Sequence, residues 1–213
     1  MRKHVFTNGE FYHVFNRGVE KRTIFLDRND FERFLESVDI FNSVLPIGSL
    51  YEYAFAKNRL GGRTPKLLVN IICYCLNPNH YHLILEQLVD GGVSEFIKRV
   101  SGGYTNYFNI RHKRSGVLFQ GKFKSVHIQT NEDLFHASSY VNLNNHVHQL
   151  QRARVFSSWG EYGSQRESSL CKRDIILDQF KNFSEYKKFA ESSLQDIIEK
   201  KESARELDSL LLE

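Results

Sequence analysis

Residues 67–86 read LLVNIICYCLNPNHYHLILE. The runs at 67–77 and 80–86 are apolar on both faces, and Pro78-Asn79 between them is a turn signal. Two such runs joined by two residues predict an antiparallel hairpin in the interior of a sheet. Successive strand side chains point to opposite faces, so His80 and His82 share one face. Two imidazoles a few ångströms apart are half of a divalent-metal site. The spacing alone is weak, because nine His in 213 residues give roughly 0.4 His-x-His pairs by chance. A second pair, His146-Val147-His148, falls at a fraying helix end, where positions i and i+2 do not share a face.

Outward from the hairpin, residues 10–16, EFYHVFN, read as a buried strand ended by Asn16-Arg17-Gly18. Asn29-Asp30 is a helix-start signal, and Phe31, Phe34, Leu35, Val38 and Phe41 follow at helical spacing. Pro46-Ile47-Gly48 stops that helix. Residues 46–66 contain Gly61-Gly62-Arg63-Thr64-Pro65 and read as an insertion with a short strand around Tyr51–Phe55. After Asp90-Gly91-Gly92, Ser94 is a candidate N-cap for a helix with the stripe Val93, Phe96, Ile97, Val100, Tyr104, Tyr107 and Phe108. Gly102-Gly103 in its middle costs about 1 kcal/mol per Gly relative to Ala, which suggests close backbone approach. Ser115-Gly116 closes it. Residues 122–129 alternate as a fourth strand, and Asn131 with Glu132 and Asp133 starts a third helix reaching about Asn144. The first six elements predict an α+β fold, a ferredoxin-like βαββαβ sandwich, with one C-terminal helix added. The domain spans 1–150. Residues 151–213 read as a helical tail, partly packed and frayed at its end, with helical patterns at 173–181 and 184–200.

Bulk properties narrow the function classes. No run of eighteen apolar residues occurs, so no membrane span is expected. MRKHVFTNGEFYHVF lacks the pattern of a signal peptide. Three cysteines, Cys73, Cys75 and Cys171, make no disulfide framework, and a cytoplasmic location is the simplest expectation. The net charge is +4, but its distribution says more. No Asp or Glu lies between Phe96 and Asn131, a stretch that holds Lys98, Arg99, Arg111, Lys113, Arg114, Lys122 and Lys124. The rest of the chain is net acidic. Basic residues interleaved with Tyr104, Tyr107, Phe108 and Phe119 suit a phosphate backbone and stacked bases. A solvated helix face over an aromatic stripe is the plainer alternative.

The third helix carries Tyr140 and Asn144 at i and i+4, on one face and displaced from the core stripe Leu134, Ser138 and Val141. Asn144 can complete a His80, His82, Asn144 metal site with open positions, which suits Mg²⁺ or Mn²⁺ when phosphate oxygens fill them. A tyrosine can act as a covalent nucleophile, but its reference pKa of about 10 means that it needs activation. Tyr104 and Tyr107 fall on or near an apolar stripe, so packing or base stacking accounts for them. Cys73 and Cys75 with the two histidines could form a zinc site, although buried cysteines as small hydrophobes are the plainer account. His13 and Arg17 suit either DNA approach or simple packing.

PNHYHLIL resembles the histidine–hydrophobic–histidine (HUH) motif of single-strand DNA transposases, in particular the REP-associated tyrosine transposases and single-tyrosine insertion-sequence transposases. YHVFNRGVEKRTIF is similar to that family's first strand and following loop. SGVLFQGKFKSVHIQ is similar to its approach to the fourth strand, and SSYVNLNNHVH to the helix bearing its single tyrosine. The likeness covers about residues 10–150. It departs where the family often has Asn-Pro and this chain has Asn144-Asn145, and in the longer 46–66 insertion. The resemblance implies that Tyr140 attacks single-stranded DNA, forming a 5′-phosphotyrosine and releasing a 3′-hydroxyl, without ATP. It implies that His80, His82 and Asn144 hold the divalent ion. The implied substrates are hairpins from imperfect palindromes, gripped by Arg17, Lys98, Arg99, Arg111, Lys113, Arg114, Lys122 and Lys124. Monomer and homodimer both remain open. The alternative is a domesticated protein that binds DNA hairpins without cutting. An RNA-recognition sandwich fits less well, since the third strand lacks its aromatic, glycine-rich signature.

Overall fold

The computed structural model of the chain describes residues 5–48, 50, 66–147, 155–164 and 170–210. Most of the expected 46–66 insertion, including the strand around Tyr51–Phe55, lies outside the described residues, as does His148. The elements in chain order are β1 (Phe11–Arg17), a 3-10 turn (Val19–Lys21), α1 (Arg28–Ile40), β2 (Val69–Asn77), β3 (His80–Gln87), α2 (Gly92–Arg111) and β4 (Lys124–Ile128). They continue as α3 (Asn131–Asn142), α4 (Asn144–Val147), β5 (Phe156–Ser157), α5 (Trp159–Tyr162), α6 (Asp174–Leu177) and α7 (Phe183–Leu210). The sheet order is β4-β1-β3-β2-β5, with every pairing antiparallel. Its first four strands have the split βαβ arrangement expected from the sequence, in an α+β fold. None of the described helices is long and apolar enough to cross a membrane.

Helix starts depart from the local signals. Helix α1 is capped by Asp27, whose Oδ1 accepts from the Asp30 N–H at 3.2 Å, two residues before the expected start. Helix α2 uses no serine cap. Gly91 turns the chain in the left-handed region (φ 70°), and the buried Gln87 Oε1 accepts from the Val93 N–H at 3.2 Å. A strand residue therefore satisfies a donor that Ser94 was expected to serve. Helix α2 also ends at Arg111, before Ser115-Gly116. The glycine pair divides: a Cβ on Gly103 would stand 2.6 Å from Phe41 Cε2, whereas one on Gly102 meets nothing within 4 Å. Helix α3, capped by Thr130, ends at Asn142 rather than Asn144. Leu143 leaves helical geometry, so Tyr140 and Asn144 sit on two successive helical pieces.

The two faces of the sheet bury different layers. Helices α1 and α2 pack an aromatic core around Tyr12, Phe25, Phe34, Tyr81, Phe96 and Tyr104. Helices α3 and α7 cover the opposite face with Cys73, Cys75, Ile84, Val141 and Tyr186. The region after 155 contributes directly to this second layer. Strand β5 pairs with β2, Tyr162 Oη donates to the Ile72 carbonyl at 2.9 Å, and Tyr186 Oη lies 3.0 Å from both Ser138 Oγ and Asn142 Nδ2.

A bulge in β2 decides which side chains reach this face. Ile71 pairs with Leu85, and Cys73 with the adjacent Ile84, leaving Ile72 as the extra residue. Val69 and Ile71 belong to the aromatic core, and so do Tyr74 and Leu76. The bulge therefore reverses the alternation, so that Cys73, Cys75 and Asn77 face α3.

Candidate active site

Strand register lays out the α3 side of the sheet as a grid, because directly paired residues of antiparallel strands share a face. Asn77 on β2 stands opposite His80 on β3, which stands opposite Arg17 on β1. The next row is Cys75, His82, Phe15 and Lys124, and the third is Cys73, Ile84, His13 and Val126. Two histidines, an arginine and a lysine thus lie within two rows at one end of the sheet.

The His80 ring and the Asn144 amide meet at a third residue. Asn77 Nδ2 lies 2.8 Å from His80 Nε2 and donates to Asn144 Oδ1 at 2.7 Å. Cys75 Sγ lies 3.7 Å from Asn77 Oδ1. With the Asn77 amide in this orientation its nitrogen only donates, so His80 Nε2 carries a lone pair. Its proton is then on Nδ1, which reaches Asn79 Oδ1 at 2.6 Å. This is the tautomer of an Nε2 metal ligand, with the second ring nitrogen held by an oxygen acceptor. Two of the three expected ligand atoms, His80 Nε2 and Asn144 Oδ1, therefore meet at the Asn77 amide nitrogen. The donor set of two imidazoles and a neutral amide oxygen fits a divalent ion that takes its remaining ligands from phosphate and water. Among the described residues, no group of three or more His, Cys, Asp or Glu is placed to hold a metal. Cys73 and Cys75 are buried among apolar neighbours, where burial pushes the Cys75 thiol up to about 12 and the Cys73 thiol well above its usual range.

His82 is nearly buried, at 7% exposure. Its Nδ1 lies 2.8 Å from His13 Nε2, and the two rings stack at 5.1 Å with 24° between planes. Burial lowers the His13 pKa from 6.5 to about 4, so this ring is neutral at pH 7. Tyr140 stands edge-on to both, 5.7 Å from the His82 ring centroid and 5.9 Å from that of His13. Burial raises the Tyr140 phenol above its ordinary value, and the neighbouring Asn144 amide draws it partly back. The Asn144 Nδ2 is nevertheless buried without a hydrogen bond of ordinary length. The structure thus brings Tyr140, His80, His82 and Asn144 into one cluster of side chains within a single chain.

The expected basic residues divide by what they touch. Arg111 pairs with Asp27 at 2.6 Å and with the fully buried Asp30 at 2.9 Å, tying the end of α2 to the start of α1. Arg99 bonds Glu95 and the Ser43 carbonyl, and Arg114 closes its own loop on Asn109, Gly116 and Val117. Arg17 bonds Gln120 at the exposed rim beside His80. Lys98, Lys113, Lys122 and Lys124 are exposed, with Lys98 at 3.2 Å from Glu95. Lys98, Lys122 and Lys124 line an open groove of about 1480 Å³ between α2, the 117–123 loop and β4. Phe15, Phe123, Asn106 and Asn109 also line it, and none of its lining residues is acidic. Tyr104 is core, donating to the Ile24 carbonyl at 2.5 Å, and Tyr107 packs against Arg111.

Sequence reasoning left His13 undecided and passed over Asn77 and Asn79. The available signal for Asn77 was its place in Asn77-Pro78-Asn79-His80, but its face depends on a bulge that no local pattern announces.

No protein-family model matches this chain, and no curated protein matches it. Among solved structures, a REP-associated tyrosine transposase bound to a REP hairpin is similar, with a TM-score of 0.50 and 13% sequence identity, over 80% of this chain and 88% of that one. The likeness is one of fold: the two chains share an α+β architecture.

Proposed function

We propose that this protein is a transposase-like single-strand DNA endonuclease and strand-transferase of the HUH type, acting on DNA hairpins through Tyr140. The observation that carries the reading is the meeting of His80 Nε2 and Asn144 Oδ1 at the Asn77 amide, in the side-chain cluster that also holds His82 and the Tyr140 ring. The shared fold with a transposase bound to a hairpin supports it.

In this reading the scissile phosphate sits between Tyr140 and the histidine pair. The Tyr140 Oη forms a bond to phosphorus, the bond from phosphorus to the 3′-oxygen breaks, and that oxygen takes a proton from solvent and leaves as a 3′-hydroxyl. The phenol proton passes to solvent. The product is a 5′-phosphotyrosine, from which a later 3′-hydroxyl regains the phosphodiester without ATP. Because burial holds the phenol neutral, attack needs positive charge at the phosphate. Arg17, across the sheet from His80, supplies part of it at the rim. His80, His82 and Asn144 would hold Mg²⁺ or Mn²⁺, which supplies Lewis-acid charge at the phosphate when bound. The Asn144 Nδ2, which makes no hydrogen bond of ordinary length, offers a donor to a phosphate oxygen. Lys98, Lys122 and Lys124 around the acid-free groove suit the hairpin backbone, with Phe15 and Phe123 for stacking. Arg99, Arg111 and Arg114 act in this surface through the fold they brace. Since Tyr140 and the histidines belong to one chain, a monomer suffices.

Incubation with single-stranded hairpin DNA and Mn²⁺, followed by a denaturing gel, tests the reading. The expected result is a covalent protein–DNA adduct that Tyr140→Phe abolishes. Tight hairpin binding with no adduct, over varied hairpin sequences and both metals, overturns the enzyme and leaves the non-cleaving binding protein.

A further inference from the structure

We infer that His13 is a positioning residue: its Nε2 accepts the Nδ1 proton of His82 and so leaves the lone pair on His82 Nε2, the atom that would hold the metal. The inference rests on the metal reading above and goes beyond it, because His13 touches neither the ion nor the phosphate. Its ground is a parallel between the two expected ligands. His80 presents Nε2 because Asn79 Oδ1 holds Nδ1 at 2.6 Å. His82 has the same need, and the group at its Nδ1 is the His13 Nε2 at 2.8 Å. The orienting groups come from different elements: Asn79 lies in the hairpin turn, and His13 lies on the neighbouring strand β1.

Register explains why His13 can do this. The residue directly across from His82 is Phe15, and His13 is opposite Ile84, two pairs further along and the next on this face. His13 is therefore a diagonal neighbour, at a spacing that a long flat ring spans. The Phe15 ring, 5.6 Å from His82 and 5.1 Å from His13, closes one side of the pair. The Tyr140 ring, edge-on to both imidazoles, closes another. The His82 ring is thus held by packing as well as by its hydrogen bond. A ligand imidazole locked by an outer partner is more basic and better aimed than an unlocked one, and loss of such a partner weakens metal binding by about 10–100-fold.

The test uses the full chain and two readouts. Long-range proton–nitrogen NMR of the metal-free protein reports the His82 tautomer. The expected state is Nδ1–H in the wild type and in His13→Gln, whose carbonyl can accept the same proton, and a mixed or Nε2–H state in His13→Phe. Mn²⁺ affinity, measured by electron paramagnetic resonance, is expected to fall about 10–100-fold in His13→Phe and to return to within a few-fold in His13→Gln. Wild-type His82 in the Nε2–H form overturns the inference, as does His13→Phe binding Mn²⁺ as tightly as wild type. If wild type binds no Mn²⁺ at all, the metal reading falls, and the tautomer comparison alone then decides whether His13 sets the His82 ring. His13→Gln also keeps the test decisive if the phenylalanine variant misfolds.

Discussion

The two faces of this sheet are built by the same strands and do opposite things. Against α1 and α2 the strands present Tyr12, Val14, Tyr81, Leu83 and Leu85, which join Phe25, Phe31, Phe34 and Tyr104 in an aromatic core with ring centroids 4.7–5.4 Å apart. There the buried Tyr104 hydroxyl has its acceptor. Against α3, alternate residues of the same strands present His13, His80, His82 and Asn77, which meet Tyr140 and Asn144. These groups bond mostly to one another, and each face leaves a buried donor without a bond of ordinary length, Tyr81 Oη on the first and Asn144 Nδ2 on the second. The first face stabilises by removing apolar surface from water. The second gives up some of that stabilisation to keep lone pairs and a phenol in fixed positions.

Four changes would break or sharpen this contrast. Tyr140→Phe removes the proposed nucleophile and is expected to lower adduct formation by roughly 10³-fold or more. Because it keeps the ring, the thermal midpoint should move by only a few degrees. A stable residual adduct on the denaturing gel would place the chemistry on another residue.

On the aromatic face the effect should be one of stability. Phe34→Ala, at a fully buried position, is expected to cost about 3–5 kcal/mol in urea denaturation. The adduct yield per folded molecule should stay unchanged, and a specific loss of yield would show that the two faces are coupled.

The third change is in pH. The His13 pKa falls from 6.5 to about 4 on folding. The unfolded chain therefore binds the proton more readily, and stability is complete above pH 6.5 and declines as pH falls toward 4. The two values imply a loss of up to about 3 kcal/mol. His13→Gln should flatten that part of the metal-free stability–pH curve, and an unchanged slope would assign it to another group.

The smallest effects belong to the glycine pair. Gly102→Ala should stabilise by about 0.5–1 kcal/mol, since it adds a helix former in open space. Gly103→Ala must displace the Phe41 ring and should destabilise despite the same propensity gain. Equal thermal midpoints for the two variants would contradict the close α1–α2 approach.

Much of the fold was legible locally. The apolar runs, the Pro78-Asn79 turn and the helical stripe of α1 are short-range patterns, and their order implied the split βαβ sheet that formed. Helix starts were less legible, since Gln87 caps α2 from a strand. The basic residues of 98–114 carried their charge in the sequence but not their partners. Asp27 and Asp30, which hold Arg111, lie more than eighty residues away along the chain.

By itself the sequence determined the element order, the aromatic core stripe and the shared face of His80 and His82, because each follows from a backbone period of 2.0 or 3.6 residues. Tertiary structure alone decided that the Ile72 bulge turns Asn77 onto that face, that His13 rather than Phe15 reaches His82, and that Asn144 returns to Tyr140 across a broken helix. Those contacts depend on strand register and on packing between distant segments, which a local pattern does not encode.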